Sequence, residues 1–124
     1  MAGTLTISTL SDGTNSTSST NCIQGSAKAW VNFSSGASAA TINGSYNVSS
    51  VTRNGTGDYT ITFTTAMSNA NYSIVASAGN NSASGFFCLV NFSQANTTTT
   101  ARVNCTSFNG TGSDLGINSV AVFR

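Results

Sequence analysis

Residues 54 to 63, Asn-Gly-Thr-Gly-Asp followed by Tyr-Thr-Ile-Thr-Phe, set a tight chain reversal directly before a strict alternation of large apolar residues and threonines. Gly and Asn tolerate the positive φ angles that a tight β reversal needs. A two-residue period puts Tyr59, Ile61 and Phe63 on one face and Thr60 and Thr62 on the other. The segment is therefore predicted to be a half-buried antiparallel strand entered from a hairpin. No stretch of the chain carries a helical period over three turns, so almost no helix is expected.

The same period recurs along the sequence. Ala27, Ala29, Val31 and Phe33 share a face, with Lys28, Trp30 and Asn32 opposite. Ile42 to Val51 reads as a second strand or a bent pair containing Tyr46, Val48 and Val51. Tyr72, Ile74 and Ala76 continue the pattern, and a loop is expected over 79–84. Phe86 to Val90 is apolar on both faces, with Phe92 completing the Phe86 side. Ala101, Val103 and Cys105 follow, and the last strand divides into an Ile117/Ser119/Ala121/Phe123 face and an Asn118/Val120/Val122 face. Seven or eight short strands separated by turn signals predict an all-β, antiparallel body, a two-sheet sandwich or a jelly-roll-like one, whose topology the pattern does not give. Ahead of them, Leu5, Ile7 and Leu10 lead into a Ser/Thr/Asn tract from Ser11 to Asn21. Residues 1–26 are expected to be an attachment arm or linker, and 27–124 the folded body.

Composition decides whether such strands can form a core. The 124 residues fit one domain. Leu, Ile, Val and Phe supply 25 of them, against 55 from Ser, Thr and Asn, an apolar share close to that of disordered chains. Disorder, however, goes with high charge and few aromatics. Here seven residues are charged and eleven are aromatic, which describes a polar, neutral β-protein. With no Pro present, chain reversals fall to Gly, Asn, Asp and Ser. A net charge of +1 gives no field for steering nucleic acid, so no nucleic-acid partner is expected. The absence of any run of roughly twenty apolar residues argues against membrane insertion. No conventional secretion signal is expected, and Met1 is compatible with a gene product made of this one domain without deciding it.

The sequence contains no His and no Glu, which removes the commonest general base, the usual zinc ligands and paired-Glu glycosidase chemistry. Asp12, Asp58 and Asp114 lie among turn-forming residues and are expected to stabilise turns. Neither catalytic residues nor a metal or cofactor are expected. Cys22, Cys88 and Cys105 match no metal-ligand spacing. Two readings stand for them: buried free thiols, or a bridge between Cys88 and Cys105 on neighbouring strands. Binding chemistry is easier to build. Trp30, Tyr46 and Tyr72 are the candidate surface-binding residues, as rigid aromatic platforms beside neutral Asn and Thr hydrogen-bonding groups, with core packing as the competing role. Trp30 leads because the opposite face of its strand is the more coherent buried side.

The run Ala27-Lys28-Ala29-Trp30-Val31-Asn32-Phe33, then Tyr46-Asn47-Val48-Ser49-Ser50-Val51, then Asn54 through Met67, resembles a C-terminal β-rich module of tailed-phage tail fibres and related virion surface proteins. Asn71-Tyr72 and the terminal Val120-Ala121-Val122-Phe123-Arg124 extend the likeness, which covers about residues 25 to 124. The resemblance implies a non-enzymatic virion structural protein, assembled in the host cytoplasm. It would be tail-fibre-like or tail-associated, with other virion proteins as partners and a host surface glycan or protein as a contact. The shortness of the arm raises the alternative of a capsid decoration (cement) protein on the phage head. Two strands with apolar residues on both faces argue for burial between subunits, with Phe87, Leu89, Val120 and Val122 expected at the oligomer interface and burial inside the monomer as the competing reading. That the oligomer is a homotrimer is implied by the resemblance.

Overall fold

The computed structural model describes residues 3–79, 85–91 and 94–124. Among the described residues, ten strands and one short helix follow in the order β1 (Thr9–Ser11), β2 (Ser16–Ser18), α1 (Ser19–Gly25), β3 (Ala27–Ser35), β4 (Ala40–Tyr46), β5 (Val48–Gly55), β6 (Asp58–Phe63), β7 (Ser73–Gly79), β8 (Phe86–Val90), β9 (Thr100–Ser107) and β10 (Ile117–Phe123). Strands β3 to β10 make two four-stranded antiparallel sheets, ordered β4-β3-β10-β7 and β5-β6-β9-β8, packed as a sandwich. Consecutive hairpin partners such as β3 with β4 and β5 with β6 stay side by side in one sheet. Phe92 and residues 80–84 of the expected loop lie outside the described residues.

Alternation builds the core. Ala29, Val31 and Phe33 of β3 point inward with Val120 and Val122 of β10, against Tyr59, Ile61 and Phe63 of β6 and Ala101, Val103 and Cys105 of β9. Phe33 and Tyr59 meet across the sheets edge to face, with ring centroids 5.1 Å apart, a geometry aromatic quadrupoles favour. Asn118 is fully enclosed, yet its amide donates to the backbone oxygens of Phe33 and Leu115, and its Oδ1 lies 3.1 Å from the Cys105 thiol. Among the described residues, no buried side-chain nitrogen or oxygen lacks a partner, as a low-dielectric interior requires.

At three points the structure goes beyond the sequence reading or corrects it. Residues 1–26 read as an arm or linker, and within them Ser18 caps a seven-residue helix, its side chain accepting from the Asn21 amide at 3.1 Å, behind a small β1–β2 hairpin. This helix buries no residue, so it has no apolar period to be read. Val120 and Val122, expected at an oligomer interface, are 3% and 1% exposed inside the sandwich; Ala121 and Phe123 take the outer face instead. Both faces of β10 are apolar, so alternation alone does not say which is inside. Of the two readings of Ile42 to Val51, the bent pair holds: two strands in different sheets, joined by Asn47 at φ 54°. Asn is one of the few residues that occupies this left-handed region readily. Its side chain holds the corner, donating to Lys28 O and Thr65 O and accepting from the Thr65 amide.

The β5–β6 hairpin tip is fixed from outside. Gly57 has φ 72°, and a Cβ there would meet Cys105 O at 2.2 Å and Ser113 N at 2.6 Å, so the position admits only glycine. Asp114 completes the lock. Its carboxylate accepts from Arg53 Nη2 at 2.8 Å, Tyr59 Oη at 2.5 Å and the Gly57 amide at 3.1 Å. Hydrogen bonding from Arg53, then from Tyr59 and Gly57, holds the carboxyl down at about 2 against an ordinary 3.8. Arg102 lowers Asp58 in the same way, at 2.5 Å. Because the folded pKa is depressed, these carboxylates contribute their stability fully above pH 4 and lose it as pH falls toward 2. Urea unfolding is expected to show a loss of about 2 kcal/mol between pH 5 and pH 2 from Asp114 alone. Asp114→Asn should lower stability at pH 7 and flatten that acid limb; an unchanged acid limb would contradict the assignment.

Candidate functional site

The outer face of the sheet β4-β3-β10-β7 is organised by register. Trp30 pairs with Tyr46 on one side and Ala121 on the other, and Ala121 pairs with Val75. Tyr46, Trp30, Ala121 and Val75 thus form one row across all four strands. Period-two alternation keeps the row outward, because the inward neighbours Ala29, Val31, Val120 and Val122 fill the core. Trp30 is 44% exposed and Tyr46 59%. The indole lies over the bare backbone of Gly44, where a Cβ would stand 3.6 Å from Trp30 Cζ3.

Beside this row runs a polar one of Gly44, Asn32, Ser119 and Ser77. Asn43, the extra residue at a β4 bulge, donates through Nδ2 to Asn32 Oδ1 at 3.0 Å, and Asn32 Nδ2 donates to Ser119 Oγ at 2.9 Å. Amide and hydroxyl groups are therefore strung across three strands alongside the indole. A shallow groove of about 250 Å³ lies over Ala121 between Trp30 and Val75, with Asn32, Ser77 and Ser119 at its side. This is the scale of one small ring rather than of a drug-sized ligand.

Tyr46 also borders a second cleft, of about 550 Å³, at the end of the sheet. Lys28 and Arg124, two of the chain's four cations, line it, and no acidic side chain does. Lys28 Nζ donates to the Ile23 carbonyl of α1, and Arg124 Nε to Asn69 Oδ1 at 3.1 Å. Around the opposite edge, Val75 belongs equally to an apolar groove of about 420 Å³ between β7 and β8 that includes Leu89 and Val90.

Of the sequence-predicted residues, Trp30 and Tyr46 come together on this face and Tyr72 does not. Tyr72 is half-buried, packs edge to face on Phe63 and donates to the backbone oxygens of Thr97 and Thr100 at 3.0 and 2.7 Å. Burial raises its phenol to about 12. It closes the sandwich and has no free platform. Phe87 and Leu89 point outward from edge strand β8, each about half exposed, apart from the buried Val120 and Val122. Sequence reading missed Asn43, Asn32 and Ser119 as a line; the alternation showed Asn32 outward, but only pairing with β10 and the β4 bulge brings its partners to it.

The three Asp side chains are all engaged. Asp12 accepts from the Thr14 and Asn15 amides in the β1–β2 turn, and Asp58 and Asp114 hold arginines. Each carboxyl is lowered from its ordinary value, Asp12 first by the Asn15 amide. Among the described residues, no group of three His, Cys, Asp or Glu side chains is placed to hold a metal ion, and no helix is long and apolar enough to cross a membrane. No protein-family model, curated protein or solved structure matches the chain.

Trp30 is the chain's single tryptophan, so its fluorescence reports this face alone. Water-type, long-wavelength emission with ready iodide quenching is expected from the folded protein, and Trp30→Ala should change stability by less than about 1 kcal/mol, as for a surface position. Blue, unquenched emission would place the indole in an interior and refute the outward row.

Proposed function

We propose that this chain is a non-enzymatic structural protein of a tailed-phage virion, associated with the tail, whose outer β4-β3-β10-β7 face contacts a host surface glycan. The observation that carries the reading is the Tyr46–Trp30–Ala121–Val75 row beside the Asn43–Asn32–Ser119 line. A sugar ring presents an apolar C–H face and a rim of hydroxyls. The indole stacks the first, and the amide and hydroxyl line pairs with the second. The resemblance of residues 25 to 124 to tail-fibre modules supports the virion setting. The non-enzymatic reading is supported by the carboxylates, which are held ionised by arginines and backbone amides, the reverse of the raised pKa that a general acid requires.

The N-terminal arm is the attachment element in this reading. Leu5, Leu10 and Ile23 are exposed around a cavity of about 370 Å³ that they share with Ile7 and Cys22. That apolar surface fits a neighbouring virion protein. A capsid decoration protein is the second reading, favoured by this same arm, which needs only a head surface to seat on.

Purified protein titrated with surface polysaccharide of susceptible cells should bind and shift Trp30 emission to the blue, and Trp30→Ala should weaken binding about tenfold or more with its circular dichroism unchanged. Stoichiometric binding to assembled capsids without polysaccharide binding would instead establish the decoration reading, and hydrolysis of the glycan by the pure chain would overturn the non-enzymatic one.

Assembly as a homotrimer belongs to the same proposal, through the edge where Phe87 and Leu89 stand exposed. The number three rests on the resemblance. Light scattering across a dilution series is expected to give the trimer mass, and Leu89→Asp, at a half-exposed edge position, should yield a folded monomer. A wild-type monomer at micromolar concentration would sink the assembly.

A further inference from the structure

Cys105 turns both backbone groups away from β8: its N–H donates to Gly57 O at 2.7 Å and its C=O accepts from Ser113 N at 2.9 Å. Cys88 is its register partner on β8. The two therefore occupy a non-hydrogen-bonded position of the antiparallel ladder, where Cα atoms approach to about 4.5 Å and side chains lie closest. That separation falls inside the range a disulfide spans. Both side chains point into the sandwich, with Cys105 Sγ 2.9 Å from Cys88 Sγ. Both are free thiols, and they differ in access. Cys105 is fully enclosed, whereas Cys88 lines the groove between the β7 and β8 edges, beside Ile74, Ala76 and Leu89. Cys22 sits apart, on α1.

From this geometry we infer that Cys88 and Cys105 are a thiol–disulfide pair, oxidised by a small-molecule disulfide such as glutathione disulfide that enters by the β7–β8 groove. The Cys88 thiolate attacks the oxidant, forming a mixed disulfide and releasing one glutathione thiol. Cys105 then attacks the Cys88 sulfur, forming the cross-strand bond and releasing the second. The two protein thiols give up two electrons and two protons, which leave on the two glutathiones. The bond fastens edge strand β8, and with it Phe87 and Leu89, to β9. The oxidant enters before this groove, which Leu89 and Val75 also line, is covered in the trimer proposed above; the pair does not depend on the glycan reading.

The sequence gives each cysteine its own tryptic peptide, because cleavage after Lys28, Arg53 and Arg102 separates 1–28, 54–102 and 103–124. Full-length protein equilibrated with glutathione disulfide, alkylated and digested without reductant is expected to show 54–102 joined to 103–124, two hydrogens lighter than their sum, with Cys22 alkylated or glutathionylated. Reductant should separate the pair. The oxidised chain should melt about 10 °C above the reduced one, since the link closes a loop within the unfolded chain. Cys105→Ala should abolish the joined peptides; should that core variant fail to fold, Cys22→Ser keeps the pair and must still form the link. Complete alkylation of Cys88 and Cys105 after oxidation, or a link that uses Cys22, would overturn the inference.

Discussion

The Asp114 carboxylate accepts from Arg53 on β5, from the amide at the hairpin tip and from Tyr59 on β6, while its own segment runs directly into Leu115 and β10. One charged group thus ties the β5–β6 hairpin of one sheet to the entry of the central strand of the other. A chain this poor in large aliphatic residues cannot rely on core volume alone to hold two sheets in one relation. A charge-assisted, multiply bonded carboxylate supplies direction where apolar burial supplies only attraction. Gly57 and Gly112 make the lock possible by letting backbones approach more closely than any Cβ allows.

The few charges are spent inside the structure. Two of the four cations are consumed by Asp58 and Asp114, and the third Asp closes the β1–β2 turn. The outer β4-β3-β10-β7 face is left neutral along its aromatic and amide rows, with Lys28 and Arg124 displaced to the cleft at one end. A neutral face costs less to desolvate than a charged one and is barely affected by salt, so recognition there would turn on stacking and hydrogen-bond geometry rather than on long-range attraction.

The sandwich was legible because period two survives in β3, β6 and β9, where one face is plainly apolar and the other plainly polar. The outward placement of Trp30 followed from that same contrast. Tyr46 and Tyr72 looked alike in sequence. What separates them is the register with Trp30 in one case and the Thr97–Thr100 turn in the other, and both are set by residues far along the chain. Asp58 and Asp114 read as turn formers because their arginines lie 44 and 61 residues away. The helix from Ser19 to Gly25 escaped notice because it buries nothing, so a serine cap was its only mark.

Asn118 carries a consequence for how β10 is placed. Sliding that strand by one residue would turn Ile117, Ala121 and Phe123 inward in place of Val120 and Val122, a set of comparable apolar bulk, so greasiness hardly discriminates between the two alignments. The slipped alignment would strand the amide of Asn118 away from Phe33 O, Leu115 O and the Cys105 thiol, and leave those groups without it. This fully enclosed amide is thereby the indexing pin of the sandwich: it adds little to cohesion and instead makes the wrong alignment expensive.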